Sequence, residues 1–128
     1  MDKKIIVAAL IIGIISIFLG AFGAHGLKAV LSTEQLLTFE TGVKYQMYHA
    51  LFLLFLGSTN LIPEKIKKTV FYLTITGIIF FSGSIYLLAT NSITAIDFKF
   101  LGPITPLGGL LLISSWFILT ISFLKRKR

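Results

Sequence analysis

From Ile5 to Ala24 the chain runs for twenty residues without a charged side chain. That is the length a helix needs to cross a bilayer, because the hydrocarbon layer is ~30 Å thick and each helical residue rises ~1.5 Å. Three further segments have the same character: about Tyr45 to Ile62, about Thr69 to Thr90, and Leu107 to Leu124. Only 13% of the 128 residues are charged and mean hydropathy is +0.92, whereas a soluble domain carries about a quarter charged residues to cover its surface. A disordered chain, a disulfide-rich module and a soluble globular domain are all excluded. The absence of cysteine removes thiol redox chemistry and thiolate metal sites as well. The runs are continuous rather than alternating in polarity, which excludes a transmembrane β-barrel. The expected fold is all-α: one integral membrane four-helix bundle over residues 1–128, with spans at about 5–24, 45–62, 69–90 and 107–124.

The basic residues predict how such a bundle sits. With four spans, both termini and the second-to-third connection share a side. That side holds Lys3, Lys4, Lys65, Lys67, Lys68, Lys125, Arg126, Lys127 and Arg128, nine of the 12 Lys and Arg; Lys28, Lys44 and Lys99 fall opposite. The positive-inside rule then makes both termini cytoplasmic. The formal net charge of +7 is accounted for by contact with anionic lipid, and no nucleic-acid partner is expected. Met1–Lys4 followed by an apolar run and the small residues Ala21, Gly23 and Ala24 has the outline of a signal peptide, but the run is a full span rather than a 7–15 residue core. A retained first span is expected.

In lipid, helices meet where small residues let backbones approach. Ala9, Gly13, Ser16, Gly20 and Gly23 recur at spacings of four and three and form such a seam on one face of the first span. Thr76, Gly77, Gly83 and Ser84 repeat the theme in the third. Between the first two spans, Ser32-Thr33-Glu34-Gln35 reads as a capping box. It predicts a helix that begins along the outer interface and continues into the second span, with Gly42 a place for a bend and Glu40 paired to Lys44 one turn on. Before the fourth span, Thr105 is expected as N-cap with Pro106 at the first helical position. Trp116, mid-span, is expected to be a buried packing residue whose indole N–H needs a partner.

Polar groups concentrate on the outer side. His25 ends the first span; Tyr45, Gln46 and His49 lie early in the second; Ser82, Ser84 and Tyr86 lie at comparable depth in the third; Thr105 opens the fourth. Polar side chains at membrane depth are costly unless partnered and mark functional candidates. Three uses of this wedge stand open: hydrogen-bonded ties between helix ends, a pocket for a lipid headgroup, quinone or small solute, and proton or metal chemistry at the imidazoles. Two histidines with no carboxylate at ligand spacing make a poor metal site, so neither a metal nor a cofactor is expected. No span holds a carboxylate, and there is no His-Glu-x-x-His, aspartate pair or nucleotide loop, so no catalytic residue is assigned.

Four ordered segments carry a family resemblance: Leu19-Gly20-Ala21-Phe22-Gly23-Ala24-His25-Gly26-Leu27; Thr41-Gly42-Val43-Lys44-Tyr45-Gln46-Met47-Tyr48-His49-Ala50-Leu51; Phe81-Ser82-Gly83-Ser84-Ile85-Tyr86; and Leu101-Gly102-Pro103-Ile104-Thr105-Pro106-Leu107-Gly108-Gly109. Together the chain resembles the small bacterial inner-membrane proteins of domain of unknown function 423, whose eukaryotic counterparts are called transmembrane protein 256. One departure is Ser114-Ser115-Trp116, where that family often has a glycine beside the tryptophan. The resemblance implies a four-helix inner-membrane protein and supplies no activity.

The leading expectation is a non-enzymatic multi-pass protein, acting as an accessory subunit or lipid binder, with membrane lipids and a membrane-protein partner or a second copy as its contacts. A transporter or channel using His25, Gln46, His49 and Ser84 is one alternative. A membrane enzyme pairing a histidine with Ser82, Ser84 or a tyrosine is another.

Overall fold

The computed structural model describes residues 1–127, whose regular elements are all helical; Arg128, the last member of the basic tail, lies outside the described residues. Helix α1 covers Asp2–His25 and α2 covers Thr33–Ser58. A third long helix is assembled from α3 (Glu64–Ile78), a π-turn (Ile79–Gly83) and α4 (Ser84–Ala89), and α5 covers Ile104–Leu124. Short 3₁₀ turns at Leu27–Ala29, Asn91–Ile93 and Lys99–Leu101 fill the connections at one end.

Three of the four long helices, within 2–29, 64–89 and 99–124, are long and apolar enough to cross a membrane. The fourth, α2, is as long, but its first two-thirds carry Glu34, Glu40, Lys44, Gln46 and His49. The outward faces also read as lipid-facing. Ile17 and Phe18 of α1 are 66% and 72% exposed, and Leu110, Ile113 and Phe117 of α5 are exposed too. Water would penalise so broad an apolar surface on a 128-residue protein.

The capping box forms at the start of α2: the Ser32 N–H donates to Gln35 Oε1 at 2.9 Å, and the Gln35 N–H donates to Ser32 Oγ at 3.1 Å. The free end of the same amide reaches Ser92 Oγ at 3.1 Å, tying α2 to the turn after α4. The helix then runs through Gly42 without interruption. This glycine makes room rather than a bend: a Cβ there would stand 2.7 Å from the Tyr86 ring.

Glu40 and Lys44 do not pair. The ion pairs among the described residues belong to Lys67, with Asp2 and Glu64; both Glu40 and Lys44 are exposed, where solvation leaves a single-turn pair little to gain. The fourth helix also starts two residues earlier than expected. Pro103 precedes it and Thr105 lies inside the first turn, its hydroxyl spent on Ser84 rather than on a backbone N–H. Pro106 is still tolerated, because amides of a first helical turn lack intrahelical partners.

Packing divides the bundle into two close hairpins. Along α1–α2, Gly13 faces Ala50, Gly20 faces Val43, Gly23 faces the Phe39 ring, and Gly57 of α2 receives Ile5 and Ile6. Along α3–α5, Gly77 receives Leu112 and Gly108 lies on the backbone of Phe80 and Phe81, where a Cβ would stand 2.7 Å from the Phe80 carbonyl carbon. The two hairpins join through a core of Ile5, Phe52, Leu53, Leu56, Val70 and Phe71. A second cluster of Leu27, Leu31, Phe39 and Ala89 closes the end carrying the 3₁₀ turns. By contrast, α2 and α5 share no extended interface.

At the other end of the bundle both termini meet the α2–α3 connection. Lys67 is almost fully enclosed, and its ammonium donates to Asp2 Oδ1 at 2.9 Å and to the Thr59 carbonyl at 2.6 Å. Lys4 reaches the Tyr72 hydroxyl at 2.6 Å, and Arg126 reaches the Leu61 carbonyl at 2.9 Å.

Candidate functional site

The polar residues of α2 fall on one stripe because Gly42, Gln46 and His49 are four and three apart. Gln46 is buried, and its amide serves two neighbours at once. Nε2 donates to the Ile12 carbonyl of α1 at 3.0 Å, and Oε1 accepts from the Tyr86 hydroxyl of α4 at 2.5 Å. The Ile12 carbonyl also accepts from Ser16 Oγ at 2.9 Å, and Ser82 Oγ donates to the Gly42 carbonyl at 2.8 Å. Three helices are thereby pinned at one level. Gly42 permits it, since any side chain there would collide with the tyrosine that Gln46 holds.

His49 faces the other way. Its Nδ1 lies 2.7 Å from the Tyr45 carbonyl, and the Trp116 indole N–H donates to its Nε2 at 3.0 Å. An indole N–H can only donate and a carbonyl can only accept. The ring is therefore a neutral imidazole with its hydrogen on Nδ1. Trp116 packs across it edge-on, with centroids 5.9 Å apart at 84°, and against Phe52 at 4.5 Å. The indole does find a partner. The side chain is 51% exposed rather than buried, because α5 presents it at the open α2–α5 edge.

A third contact joins α4 to α5. Ser84 Oγ lies 2.5 Å from Thr105 Oγ1 and donates back to the Phe80 and Phe81 carbonyls at 2.5 and 3.0 Å. The π-turn places those carbonyls there; such turns occur mostly as single insertions, often at functional sites.

The expected wedge is thus three separate clasps: Gln46 with Tyr86 and Ser82 nearby, His49 with Trp116, and Ser84 with Thr105. His25 joins none of them; it is exposed at the end of α1 and makes no side-chain hydrogen bond among the described residues. Tyr45 contributes its carbonyl, while its ring is 42% exposed and lies 5.2 Å from Phe81. Gly13, Ser16, Gly20 and Gly23 sit in the α1–α2 seam. The histidine–serine and histidine–tyrosine side-chain pairs that an enzyme reading needs do not form, and the path His25–Gln46–His49–Ser84 is not assembled. Among the described residues no three His, Asp or Glu side chains gather around a point that would hold a metal.

Two polar contacts escaped the sequence reading. Thr74 Oγ1 donates to Ser115 Oγ at 3.0 Å, deep between α3 and α5, where both residues are fully buried. Lys67 was counted as a flanking charge and is instead an enclosed one. Thr74 and Ser115 do carry a signal, as hydroxyls in the midst of apolar runs.

Between α2 and α5 the surface is concave. The part toward the 3₁₀ turns, about 270 Å³, is lined by Tyr45, His49, Phe81, Gly109, Ile113 and Trp116. The part toward the termini, about 360 Å³, is lined by Phe52, Phe55, Trp116, Leu119 and Phe123. Trp116 borders both, so the His49–Trp116 clasp divides one long apolar groove in two. No buried side-chain nitrogen or oxygen among the described residues lacks a hydrogen-bond partner.

Apolar outer faces, small-residue seams and internally paired polar groups define a small helical membrane protein. The chain belongs to the family described as protein of unknown function DUF423, which matches residues 19–109. Similar proteins are a UPF0382 membrane protein of Staphylococcus haemolyticus, 40% identical over 96% of this chain and 97% of its own length; the UPF0382 membrane protein YwdK of Bacillus subtilis, 37% identical over 96% and 98%; and a UPF0382 membrane protein of Haemophilus influenzae, 33% identical over 99% and 98%. No solved structure matches the chain. It is a bacterial membrane protein of an uncharacterised family.

Proposed function

We propose that this chain is a non-enzymatic, four-span protein of the cytoplasmic membrane, with both termini inside, that works by holding a membrane lipid chain in the groove between α2 and α5. One observation carries the reading. The α1–α2 and α3–α5 faces are closed by glycine contacts, whereas the α2–α5 edge is left open and lined with aromatic and aliphatic side chains. Such a groove suits a flexible hydrocarbon, and with lipid in place the protein presents a smooth flank to a neighbouring membrane protein or a second copy. The inward orientation follows from the cluster of basic residues around the termini.

Gly109 supplies the test. A Cβ there meets only the Phe81 ring, at 3.7 Å, so Gly109→Phe fills the part of the groove toward the 3₁₀ turns and leaves the α3–α5 contact in place. Native mass spectrometry of the protein released from membranes should show retained lipid in the parent and much less in this variant. Equal retention would remove the groove as the binding place. Orientation is checked separately: the chain has no cysteine, so single cysteines at positions 3 and 92 report their side by impermeant labelling, and labelling of position 3 from outside intact cells would overturn the inward assignment.

A further inference from the structure

At the end of the bundle where the termini meet, a second concavity lies between the α2–α3 connection and the end of α5. It measures about 240 Å³ and is lined by Leu61, Pro63, Ile66, Ser122, Lys125 and Arg126. Its chemistry differs from that of the groove, since two cations and a hydroxyl border an apolar floor.

Among the described residues no carboxylate neutralises the two cations. Arg126 spends one N–H of its guanidinium on the Leu61 carbonyl, at 2.9 Å, and four of the five donors remain. Lys125 has no carboxylate partner among the described residues. The nearby acids are engaged elsewhere, because Asp2 and Glu64 both face Lys67. Ser122 also stands out on α5. Ser114, Ser115 and Thr120 each return their hydroxyl to the carbonyl four residues back, whereas the half-buried Ser122 makes no hydrogen bond among the described residues. The complement to such a niche is an anion with an apolar body.

We propose that this niche seats the phosphodiester headgroup of an anionic membrane phospholipid. Arg126 and Lys125 engage the phosphate, Ser122 donates to it, and Leu61, Pro63 and Ile66 cover the glycerol and the first chain carbons. Basic pockets between helix ends at the cytoplasmic face are suited to such headgroups. The proposal rests on the membrane-spanning reading of the chain and is independent of what fills the α2–α5 groove.

The test uses the full chain, delipidated in detergent and titrated with phosphatidylglycerol or phosphatidylethanolamine, with bound lipid counted by native mass spectrometry. One equivalent of phosphatidylglycerol should bind in preference to phosphatidylethanolamine. Lys125→Gln and Arg126→Gln should each weaken it roughly fivefold, the effect of one cation near a lipid surface, and Ser122→Ala should weaken it less. Lys3→Gln with Lys65→Gln removes two charges at the same end, outside the niche, and should leave the preference in place. Arg126→Gln also frees the Leu61 carbonyl, so Lys125→Gln, whose side chain makes no hydrogen bond or ion pair among the described residues, is the decisive variant. The proposal is overturned if the Lys3/Lys65 pair lowers binding as much as the niche variants, if the two lipids bind equally, or if glycerol phosphate displaces the lipid at matched concentration, which marks a site for small phosphates. A chain that fails to insert into liposomes at all would instead defeat the membrane-spanning reading.

Discussion

Two edges of α2 are built on opposite plans. Toward α1 it presents Val43, Gln46, Ala50 and Gly57 to a neighbour that answers with Gly13 and Gly20, so the backbones approach closely and Gln46 bonds across the contact. Toward α5 it presents His49, Phe52 and Phe55, which hold the neighbour off, and one indole–imidazole hydrogen bond spans the gap. Lipid tails are as apolar as leucine, so burying more hydrocarbon does little to hold membrane helices together. Side-chain size decides instead: small residues close an interface, and large rings leave a space that something else must fill.

That contrast can be broken most severely at Gly108. Its Cβ would fall against the Phe81 amide nitrogen and the Phe80 carbonyl carbon, so Gly108→Leu should cost at least about 3 kcal/mol, the upper end of overpacking. Thermal unfolding followed by circular dichroism in detergent would measure it. A stable Gly108→Leu protein would mean that the α3–α5 hairpin is not close-packed.

Gln46→Leu is next. It abandons the Tyr86 hydroxyl and one bond to α1, and should cost about 1–2 kcal/mol, between the average interhelical bond in a membrane and the penalty of an orphaned buried group. Adding Tyr86→Phe should restore part of the loss, and strictly additive effects would show that the two side chains do not act together.

His49→Phe removes the clasp at the open edge and should cost only about 0.6 kcal/mol. Its main readout is the fluorescence of Trp116, the single tryptophan, which should change as its N–H loses the imidazole; an unchanged spectrum would argue against the bond. Least of all, Gly13→Ala should fall within about 0.5 kcal/mol of the parent, because its Cβ would meet Ala50 at an ordinary 3.8 Å.

The helices, the capping box at Ser32 and Gln35, and the glycine seam of α1 were legible because each depends on residues near one another in the chain. The partners of the polar groups were not. Gln46, Tyr86 and Ser82 stood out as polar residues at one depth, yet nothing in their spacing told that His25 would be left outside or that His49 would turn to Trp116. Rotation of one helix about its axis decides such pairings, and that rotation is set by contacts made elsewhere. Lys67 misled for a related reason: a lysine beside Glu64, Lys65 and Lys68 reads as a solvated flank until the N-terminus folds over it.

The π-turn at Ile79–Gly83 sets the phase of the third long helix. Each α-helical residue turns the chain by about 100°, so one extra residue in the third long helix resets the phase of everything after it. Tyr86 meets Gln46 on one side and Ser84 meets Thr105 on another only at that setting. Deleting a single residue from this stretch would swing both contacts out of alignment together, making the five-residue turn a gear that keeps the two hairpins in mesh.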